Sequence, residues 1–428
     1  MKCRILTLII AFIACLPMMT NVIWDEMPQY YTEISLKEGD IRWFKSLFRC
    51  QIGRNYRVSI CEYGTNNTSK SLSIPDSIDI SGIKFEVAFI DDNAFKNCDS
   101  LTEIKISSCI RRIHYGAFDS CRCLTKILVD SNNTKYTSIN GILYNKDKTS
   151  LLRAPEGIEG NIVIPSSVTT IAEHAFRNCR RITDIVLPDE LSVIRASAFE
   201  GCANLTSINF SNSITRIEES AFEGCVNLTD IKLPDNLKAI WNNAFSKSGI
   251  TSITIPLNLT IISEGTFSEC KNLRTITFHA NIRTCSPTAL LGCKNLISIN
   301  VDPQNKYFSS QDGVLYNKDK TKLICFPGGY EGHFTIPSTV TCIGKNAFYK
   351  CQKLTDITIP KSVTTLEENA FRECTGLTKI KIPKNVVEFG TTAFLDCINA
   401  DIEIDNPIYK VRQKKFVFNR CKSVKWKK

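Results

Sequence analysis

Histidine is scarce in this sequence, and with it the motifs that enzymes build around it. Four occur in 428 residues, His114, His174, His279 and His333. A histidine-activated nucleophile needs that base within hydrogen-bond reach. His114 and His174 fall where neighbouring copies of the same phrase carry Glu, Ser or Asn, which reads as exposed surface. No HExxH, GxSxG or glycine-rich phosphate loop is present, and the acidic residues form no persuasive pair. These absences argue against an enzyme, and no cofactor or metal is expected.

Long apolar runs are equally scarce. The most apolar, ILTLIIAFIACL, has twelve residues and follows the basic Met1-Lys-Cys-Arg. A bilayer span needs about 20, whereas a basic start before a short apolar core fits a signal peptide, placed over residues 1–20. No clean A-x-A cleavage pattern follows. Phe12-Ile-Ala-Cys15 loosely resembles a lipoprotein cleavage box, leaving a lipidated Cys15 open as an alternative. Pro17 disfavours a buried first helix. The expected location is secreted or cell surface.

The body also lacks net charge. The chain carries +10, but Lys2 and Arg4 supply two of these. The segment from Asp405 to Lys428 holds nine Lys or Arg against one Asp, a further eight. Residues 5–404 therefore sum to zero, which is no footprint for a phosphate backbone. No nucleic-acid partner is expected.

What the sequence does have is repetition. The phrase Ala-Phe-x-x-Cys recurs, with Phe at 95, 118, 176, 199, 222, 245, 267, 348, 371 and 394 and Leu290 in the same slot, although Thr266 precedes Phe267 and Ser248 stands in the Cys slot after Phe245. Most steps are 23 residues; one is 22 and two are 58. In AFEGCVNLTDIKLPDNLKAIWNN, from Ala221, Leu-x-x-Ile-x-Leu is a strand with Ile231 and Leu233 on one side and Asp230 and Lys232 on the other. Pro234 ends it. Leu237-x-x-Ile240 is a second short arm, and Ala-Phe-x-x-Cys has the spacing of one helical turn. Such a unit cannot bury its apolar face alone, so copies stack on a shared core.

This pattern resembles the leucine-rich repeat, and within it the BspA-like branch, over roughly residues 72–404. It departs from the general consensus because the slots after Leu228 fall nine and twelve residues on, at Leu237 and Ile240, which points to a β-rich coil rather than one with a convex helix. The expected fold is a β-rich leucine-rich-repeat solenoid, an α/β superhelix of about 13–15 coils. Residues 21–71 are expected to cap one end, and residues 405–428 to form a basic tail. The last coil is expected to fray, because Asn399 or Ala400 stands in its Leu slot. The two 58-residue steps are one insertion used twice: TSINGILYNKDKTSLLRAPEG parallels SSQDGVLYNKDKTKLICFPGG, each a β-hairpin, the first turning near Lys146-Asp147.

Twenty cysteines invite a chemical explanation. Ten occupy the slot three after the repeat residue: 98, 121, 179, 202, 225, 270, 293, 351, 374 and 397. A metal site needs ligands converging at about 2.3 Å, whereas stacked coils place equivalent residues about 4.8 Å apart with parallel side chains. A ladder of buried structural thiols is expected. Cys50 and Cys61 flank an N-terminal hairpin and are candidates for a cap disulfide. Cys109, Cys123, Cys285, Cys325, Cys342 and Cys421 share no slot, and Cys3 and Cys15 lie in the export segment.

The outward strand positions are the candidate ligand-binding face: Glu103, Lys105, Lys126, Asp184, Ser207, Asn209, Asp230, Lys232, Ser252, Thr254, Thr275, Thr277, Ser298, Asn300, Asp356, Thr358, Lys379 and Lys381. A merely solvated face would have the same composition. Tyr136, Tyr144, Tyr307, Phe308, Tyr316, Tyr330 and Phe334 gather at the insertions, either as interface anchors or to pack the hairpins on the coil. Glycan acceptor patterns occur at Asn66, Asn67, Asn132, Asn204, Asn227 and Asn258. The resemblance implies a non-enzymatic surface or secreted protein that adheres to a host or microbial surface protein, a matrix protein or a glycan. The basic tail is either a terminal cap or a contact for an anionic surface. The alternative is a structural scaffold for intracellular protein–protein interactions. Oligomeric state and ligand identity are not legible.

Overall fold

One 23-residue unit makes one turn of a solenoid with three sides. In the coil that begins at Ala198, the strand Ser207–Asn209 forms the first side and the two-residue strand Arg216–Ile217 the second. The first pairs in parallel with Arg181–Val186 of the preceding coil, as Asp184↔Ser207, Ile185↔Ile208 and Val186↔Asn209. The second pairs with Val193–Ile194 before it and Ala239–Ile240 after it. Inward residues are buried and their neighbours along the strand exposed, the period-two alternation of a one-faced strand. This computed structural model describes residues 31–34, 48–52, 57–63, 69–80, 83–405 and 414–426. The expected signal peptide, Cys3 and Cys15, the acceptors Asn66 and Asn67, and the side chains of Cys50 and Cys61 lie outside the described residues. About fourteen turns of solenoid result, within the expected range and almost without helix.

The third side corrects the expected helical turn. Cys225 N–H donates to Phe222 O at 3.3 Å and Ala221 N–H to Glu218 O at 3.3 Å, closing tight turns over three residues. Ser220 (φ 53°) and Gly224 (φ 75°), two residues either side of Phe222, are left-handed, a conformation that favours Gly and ends a right-handed helix. Alternate N–H groups are thereby free for the next coil: Ser220 donates to Asn242 O, Phe222 to Ala244 O and Gly224 to Ser246 O, at 2.7–3.0 Å. All three sides thus carry hydrogen bonds from coil to coil.

The core is a set of columns. Phe176, Phe199, Phe222 and Phe245 stack with centroids 5.1, 5.2 and 5.3 Å apart, and Phe348, Phe371 and Phe394 at 4.7 and 5.1 Å. The 22-residue step widens one contact, Phe245 to Phe267, to 5.9 Å. There Ser248 fills the cysteine slot, buried, with its hydroxyl 3.3 Å from Cys270 Sγ.

Each 58-residue step conceals a coil. Ala154 N–H donates to Ala175 O and Phe326 N–H to Ala347 O, as Phe222 does to Ala244. Ala154 and Phe326 therefore hold the phenylalanine slot of a hairpin-bearing coil. That coil is built from Tyr136–Ile139, Ile142–Asn145 and Ser150–Arg153, antiparallel throughout, with its counterpart at Phe308–Gln311, Val314–Asn317 and Lys322–Cys325. The turn expected at Lys146-Asp147 lies between the second and third strands. The first turn, Asn140 (φ 51°) and Gly141 (φ 81°), has the two left-handed residues of a tight hairpin. Asn133 secures the loop before it: its buried amide donates to Ser107 O and Ile110 O and accepts from Lys135 and Tyr136 N–H. Asn305 does the same in the second copy.

Both ends extend the columns beyond the expected boundaries. Tyr63 N–H donates to Ala94 O, and its ring meets Phe95 at 5.6 Å, so the N-terminal cap already holds the aromatic slot. At the other end the expected fraying is corrected. Ala400 is fully buried in the Leu slot, and Asp401–Ile404 pairs in parallel with Ser423–Trp426. Phe418 stacks on Phe394 at 5.5 Å. The described part of the basic tail, 414–426, is thus one more coil, opened by the four-residue helix Lys414–Val417.

Candidate functional site: the outward strand face and the thiol ladder

The candidate face is a real surface. Of its eighteen positions, Glu103, Asp184, Thr275 and Ser298 are half-exposed and the rest exposed. Parallel register turns them into columns: Ser252, Thr275 and Ser298 lie side by side, as do Thr254, Thr277 and Asn300. A hydroxyl and amide platform therefore occupies the middle of the array. Near its C-terminal end the columns are ionic. Lys379 lies between Asp356 and Asp401, and Lys381 between Thr358 and Glu403. Lys379 reaches Glu403 at 3.7 Å and Lys381 reaches Asp405 at 3.3 Å.

Local partners set the charge of this face. The Ser207 hydroxyl donates to Asp184 at 2.6 Å and holds its carboxyl below the ordinary value. Lys422, 2.9 Å from Asp401, does the same there, helped by Ser423. His333 Nδ1 lies 2.8 Å from Asp356 and Nε2 lies 2.9 Å from Thr335, on the same face. Asp230 and Lys232 are exposed, but residues 229–234 form no regular strand, so the sheet is interrupted there. Sequence reasoning missed Asp401 and Glu403, which lie beyond the last Leu slot; the alternation of Ile402 and Ile404 was their signal. It also missed the apolar pair Val163 and Val186, register partners that are 65% and 45% exposed.

The aromatics at the insertions pack the hairpins. Tyr144, Phe308, Tyr316 and Phe334 are buried, Tyr136 and Tyr330 half-buried, and Tyr307 exposed. Burial pushes the Tyr144 hydroxyl up to about 12. The acceptors Asn132, Asn204, Asn227 and Asn258 are all exposed, as a glycan requires. Asn258 donates to Asp235 O at 2.9 Å.

The histidines differ from the surface pattern expected of them. His114 is half-buried beside Asp92 at 2.9 Å. His174 is half-buried against Tyr115 at 5.2 Å, and burial lowers its pKa. Among the described residues, neither has a thiol as a hydrogen-bond partner. Among the described residues, no group of three or more His, Cys, Asp or Glu side chains could hold a metal ion, and no helix is long and apolar enough to cross a membrane.

All ten ladder cysteines are buried and free. Seven of their thiols share one bond, Cys121 among them at 2.8 Å from Phe95 O. Cys225 Sγ donates to Phe199 O and Cys202 Sγ to Phe176 O, both at 3.1 Å, and Cys270, Cys293, Cys374 and Cys397 repeat it at 2.8–3.1 Å. Burial pushes the Cys179 and Cys225 thiols up to about 12 and Cys270 to about 11, so all three stay protonated near neutrality. Two cysteines read as slotless have slots. Cys421 donates to Phe394 O at 3.1 Å as the terminal rung. Cys285 lies beside Ile262 in the second-side ladder and takes the inward isoleucine position.

With this geometry in hand, the relatives are informative. A model of the BspA type leucine rich repeat region, six copies, matches residues 66–153, 158–256, 239–333 and 322–425. The chain belongs to that family. BspA-type coils therefore run through the basic segment, in agreement with the rung at Cys421. Similar solved structures include a leucine-rich repeat protein from Eubacterium ventriosum, 25% identical with a TM-score of 0.51, over 61% of this chain and 69% of that one. Another is a leucine-rich repeat protein from Bacteroides ovatus, 22% identical with a TM-score of 0.48, over 95% of this chain and 100% of that one. A leucine rich cell surface protein from Faecalibacterium prausnitzii is 20% identical with a TM-score of 0.43, over 89% and 93%. No curated protein matches the chain.

Proposed function

We propose that this BspA-type protein is a non-enzymatic binding module, secreted or displayed on a cell surface, that adheres to a protein or glycan ligand through its outward strand face. The observation that carries this reading is the register of that face. Ser252, Thr275, Ser298, Thr254, Thr277 and Asn300 form two adjacent columns of small polar side chains across three consecutive coils. Small hydroxyls and amides at strand spacing both donate and accept, and leave the surface flat enough for an extended partner. The family supports a binding role, and the short apolar N-terminal run supports export. Host or microbial surface proteins, matrix proteins and glycans are the ligand classes that follow.

The test is adhesion by purified protein to immobilised matrix proteins and a glycan panel, with Thr254→Arg and Thr277→Arg introduced together. Both positions are exposed, so folding should be unchanged. Loss of at least tenfold in binding supports the face. Unchanged binding by the double variant would rule it out, and localisation of tagged protein to the cytoplasm would rule out display.

A further inference from the structure

The two hairpin-bearing coils leave matching notches in the third side of the solenoid, because neither carries an Ala-Phe-x-x-Cys turn. Arg-Ala-Pro-Glu-Gly from Arg153 takes its place in the first, and Cys-Phe-Pro-Gly-Gly from Cys325 in the second. The notches have opposite fates. The second is about 10 Å³, with Phe326 in its wall stacked on Phe348 at 4.6 Å. Lys350 of the following coil reaches over Gly292 to Glu269, two coils before the hairpin-bearing one, at 2.8 Å, an ion pair across the gap.

The first notch is about 210 Å³, lined by Ser120, Arg122, Glu156, Asn178, Arg180 and Arg181. Ala154 stands where Phe326 does in the other. Asn97 and Asn178 occupy the positions of Glu269 and Lys350, so no ion pair spans it. Arg122, Arg180 and Arg181 are exposed. Among the described residues none of the three has an ion-pair partner, unlike their neighbours Arg153 and Arg177, which hold Asp119 and Glu200. Arg181 lies beside Glu159 in the strand register, yet no ion pair joins them.

Glu156 forms the floor, its side chain 4% exposed and paired with the equally buried Arg153 at 3.2 Å. Glu156 Oε1 also accepts Ser120 N–H at 2.8 Å, and Arg153 donates to His174 O. Arg153 is paired with Asp119 and Glu156, whereas the rim guanidinium groups of Arg122, Arg180 and Arg181 have no ion-pair partner among the described residues, although Glu159 lies beside Arg181 and Asp99 Oδ1 accepts the Arg122 N–H at 3.4 Å. Every lining side chain is polar or charged, which excludes an apolar ligand. Guanidinium groups suit bidentate contact with carboxylate or sulfate.

We propose that this notch binds the anionic group of an acidic saccharide, a uronate or a sulfated sugar, with Arg122, Arg180 and Arg181 on the anion and Asn178 and Glu156 on ring hydroxyls. The mixture of donors with a buried carboxylate acceptor favours a sugar over an acidic peptide, because Glu156 and Asn178 can accept from ring hydroxyls, which glutamate side chains lack. The site meets the strand side only through Arg181, which opens the strand Arg181–Val186, and none of its lining residues belongs to the candidate strand face.

Calorimetry with the full chain tests this, using a sulfated uronate-containing disaccharide as probe. Its neutral counterpart, a tetraglutamate peptide and inorganic sulfate are the comparison ligands. The disaccharide should bind, and Arg122→Ala, Arg180→Ala and Arg181→Ala together should weaken it at least tenfold. Arg274→Ala with Arg283→Ala, exposed arginines elsewhere, should not. A second variant closes the notch: Asn97→Glu and Asn178→Lys recreate the Glu269–Lys350 pair, with Ser120→Gly added because Glu269 passes over Gly292, where a Cβ would meet its carboxylate at 2.5 Å. Asn97 and Asn178 have φ of 62° and 59°, close to the 54° and 56° at which Glu269 and Lys350 sit, so the backbone accepts the exchange. That variant should lose binding while melting no lower than the parent. Undiminished binding by either variant overturns the site. Tetraglutamate or sulfate binding as tightly as the disaccharide overturns the saccharide assignment.

Discussion

The thiol of Cys225 donates to the carbonyl of Phe199, 3.1 Å away and 26 residues earlier. The same carbonyl accepts the N–H of Cys202 at 3.2 Å within its own coil. A cysteine in this slot is small enough for the column, apolar enough to be buried, and gives a second donor to a carbonyl whose second lone pair would otherwise be unused. This explains the repetition of Ala-Phe-x-x-Cys without any thiol chemistry. Cys225→Ala should cost about 1–2 kcal/mol in urea unfolding through lost packing and the lost bond. Cys225→Ser should cost less than about 1 kcal/mol, because Ser248 already holds the equivalent place. Cys225→Asp should cost several kcal/mol by burying a charge, on the order of the penalties known for unpaired ions. An aspartate variant as stable as the alanine one would mean that the slot is wet.

The ladder also fixes an alkaline limit. Cys179 and Cys225 are pushed up to about 12 in the folded chain from an ordinary 9.0. A thiol whose folded pKa is raised contributes stability that is present in full below the unfolded value and is lost as pH rises toward the folded value. Each such thiol should therefore remove about 1.4 kcal/mol per pH unit above pH 9, until its folded pKa is reached. Under reducing conditions the melting temperature should be flat from pH 7 to 8.5 and fall steeply by pH 11. Replacing Cys179, Cys202 and Cys225 by Ala should flatten that fall. A thiol reagent at pH 8 should leave the ladder unlabelled until denaturant is added. Rapid native labelling of Cys225 would contradict the burial.

The periodic part of this molecule was legible and the aperiodic part was not. The inward residues, the two strand arms, the ladder and the hairpin turn at Lys146-Asp147 follow from spacing, since packing repeats with the coil. The turn side was read as helical because Ala-Phe-x-x-Cys fits that period. The contrary signal was the Gly, Asn or Ser two residues after the slot in six copies, at Gly201 and Gly224 among others, where left-handed backbone is needed; Lys, Glu or Asp takes that conformation in the other five and hides it. The coils hidden in the 58-residue steps escaped notice because Ala154 does not look like phenylalanine. Cys421 escaped because Val417-Phe418 replaces Ala-Phe. The first notch depends on residues that differ between the two insertions, and a repeat consensus averages those differences away.

Arg153 offers a test of how the two insertions diverged. It is buried and bonded to Asp119 at 3.0 Å and Glu156 at 3.2 Å, yet its Nε has no partner. Burial raises the Glu156 pKa, against the Ser120 N–H and the Arg153 charge, which favour the carboxylate. Arg153→Cys leaves that carboxyl without its cation, and should cost about 3–5 kcal/mol. In the second insertion the corresponding residues are Cys325 and Gly328, and no buried pair exists there. Arg153→Cys combined with Glu156→Gly should therefore recover most of the loss. Chemical unfolding of the single and double variants measures the coupling, and additive losses would show that the pair is not coupled.

The basic segment is the last coil as far as it is described, and its removal should be felt throughout the C-terminal core. Phe418 covers Phe394 at 5.5 Å, Trp426 covers Phe418 edge-on at 6.2 Å, and Ser423–Trp426 completes the sheet beside Asp401–Ile404. Two of its cations are already engaged, Arg420 with Asp396 at 2.8 Å and Lys422 with Asp401 at 2.9 Å. Truncation after Asp405 would bare the Phe394 ring and leave an unpaired strand edge, which invites association between chains. The truncated chain should melt several degrees lower and associate at high concentration, whereas Phe418→Ala alone should cost about 3–5 kcal/mol if the coil is packed. Binding to anionic vesicles gives the independent reading of the charge. If the remaining lysines act at a surface, charge-reversing Lys425→Glu should weaken salt-sensitive binding without lowering the melting temperature. If truncation leaves the melting temperature unchanged, the coil does not contribute to the fold and the stacking of Phe418 on Phe394 is incidental.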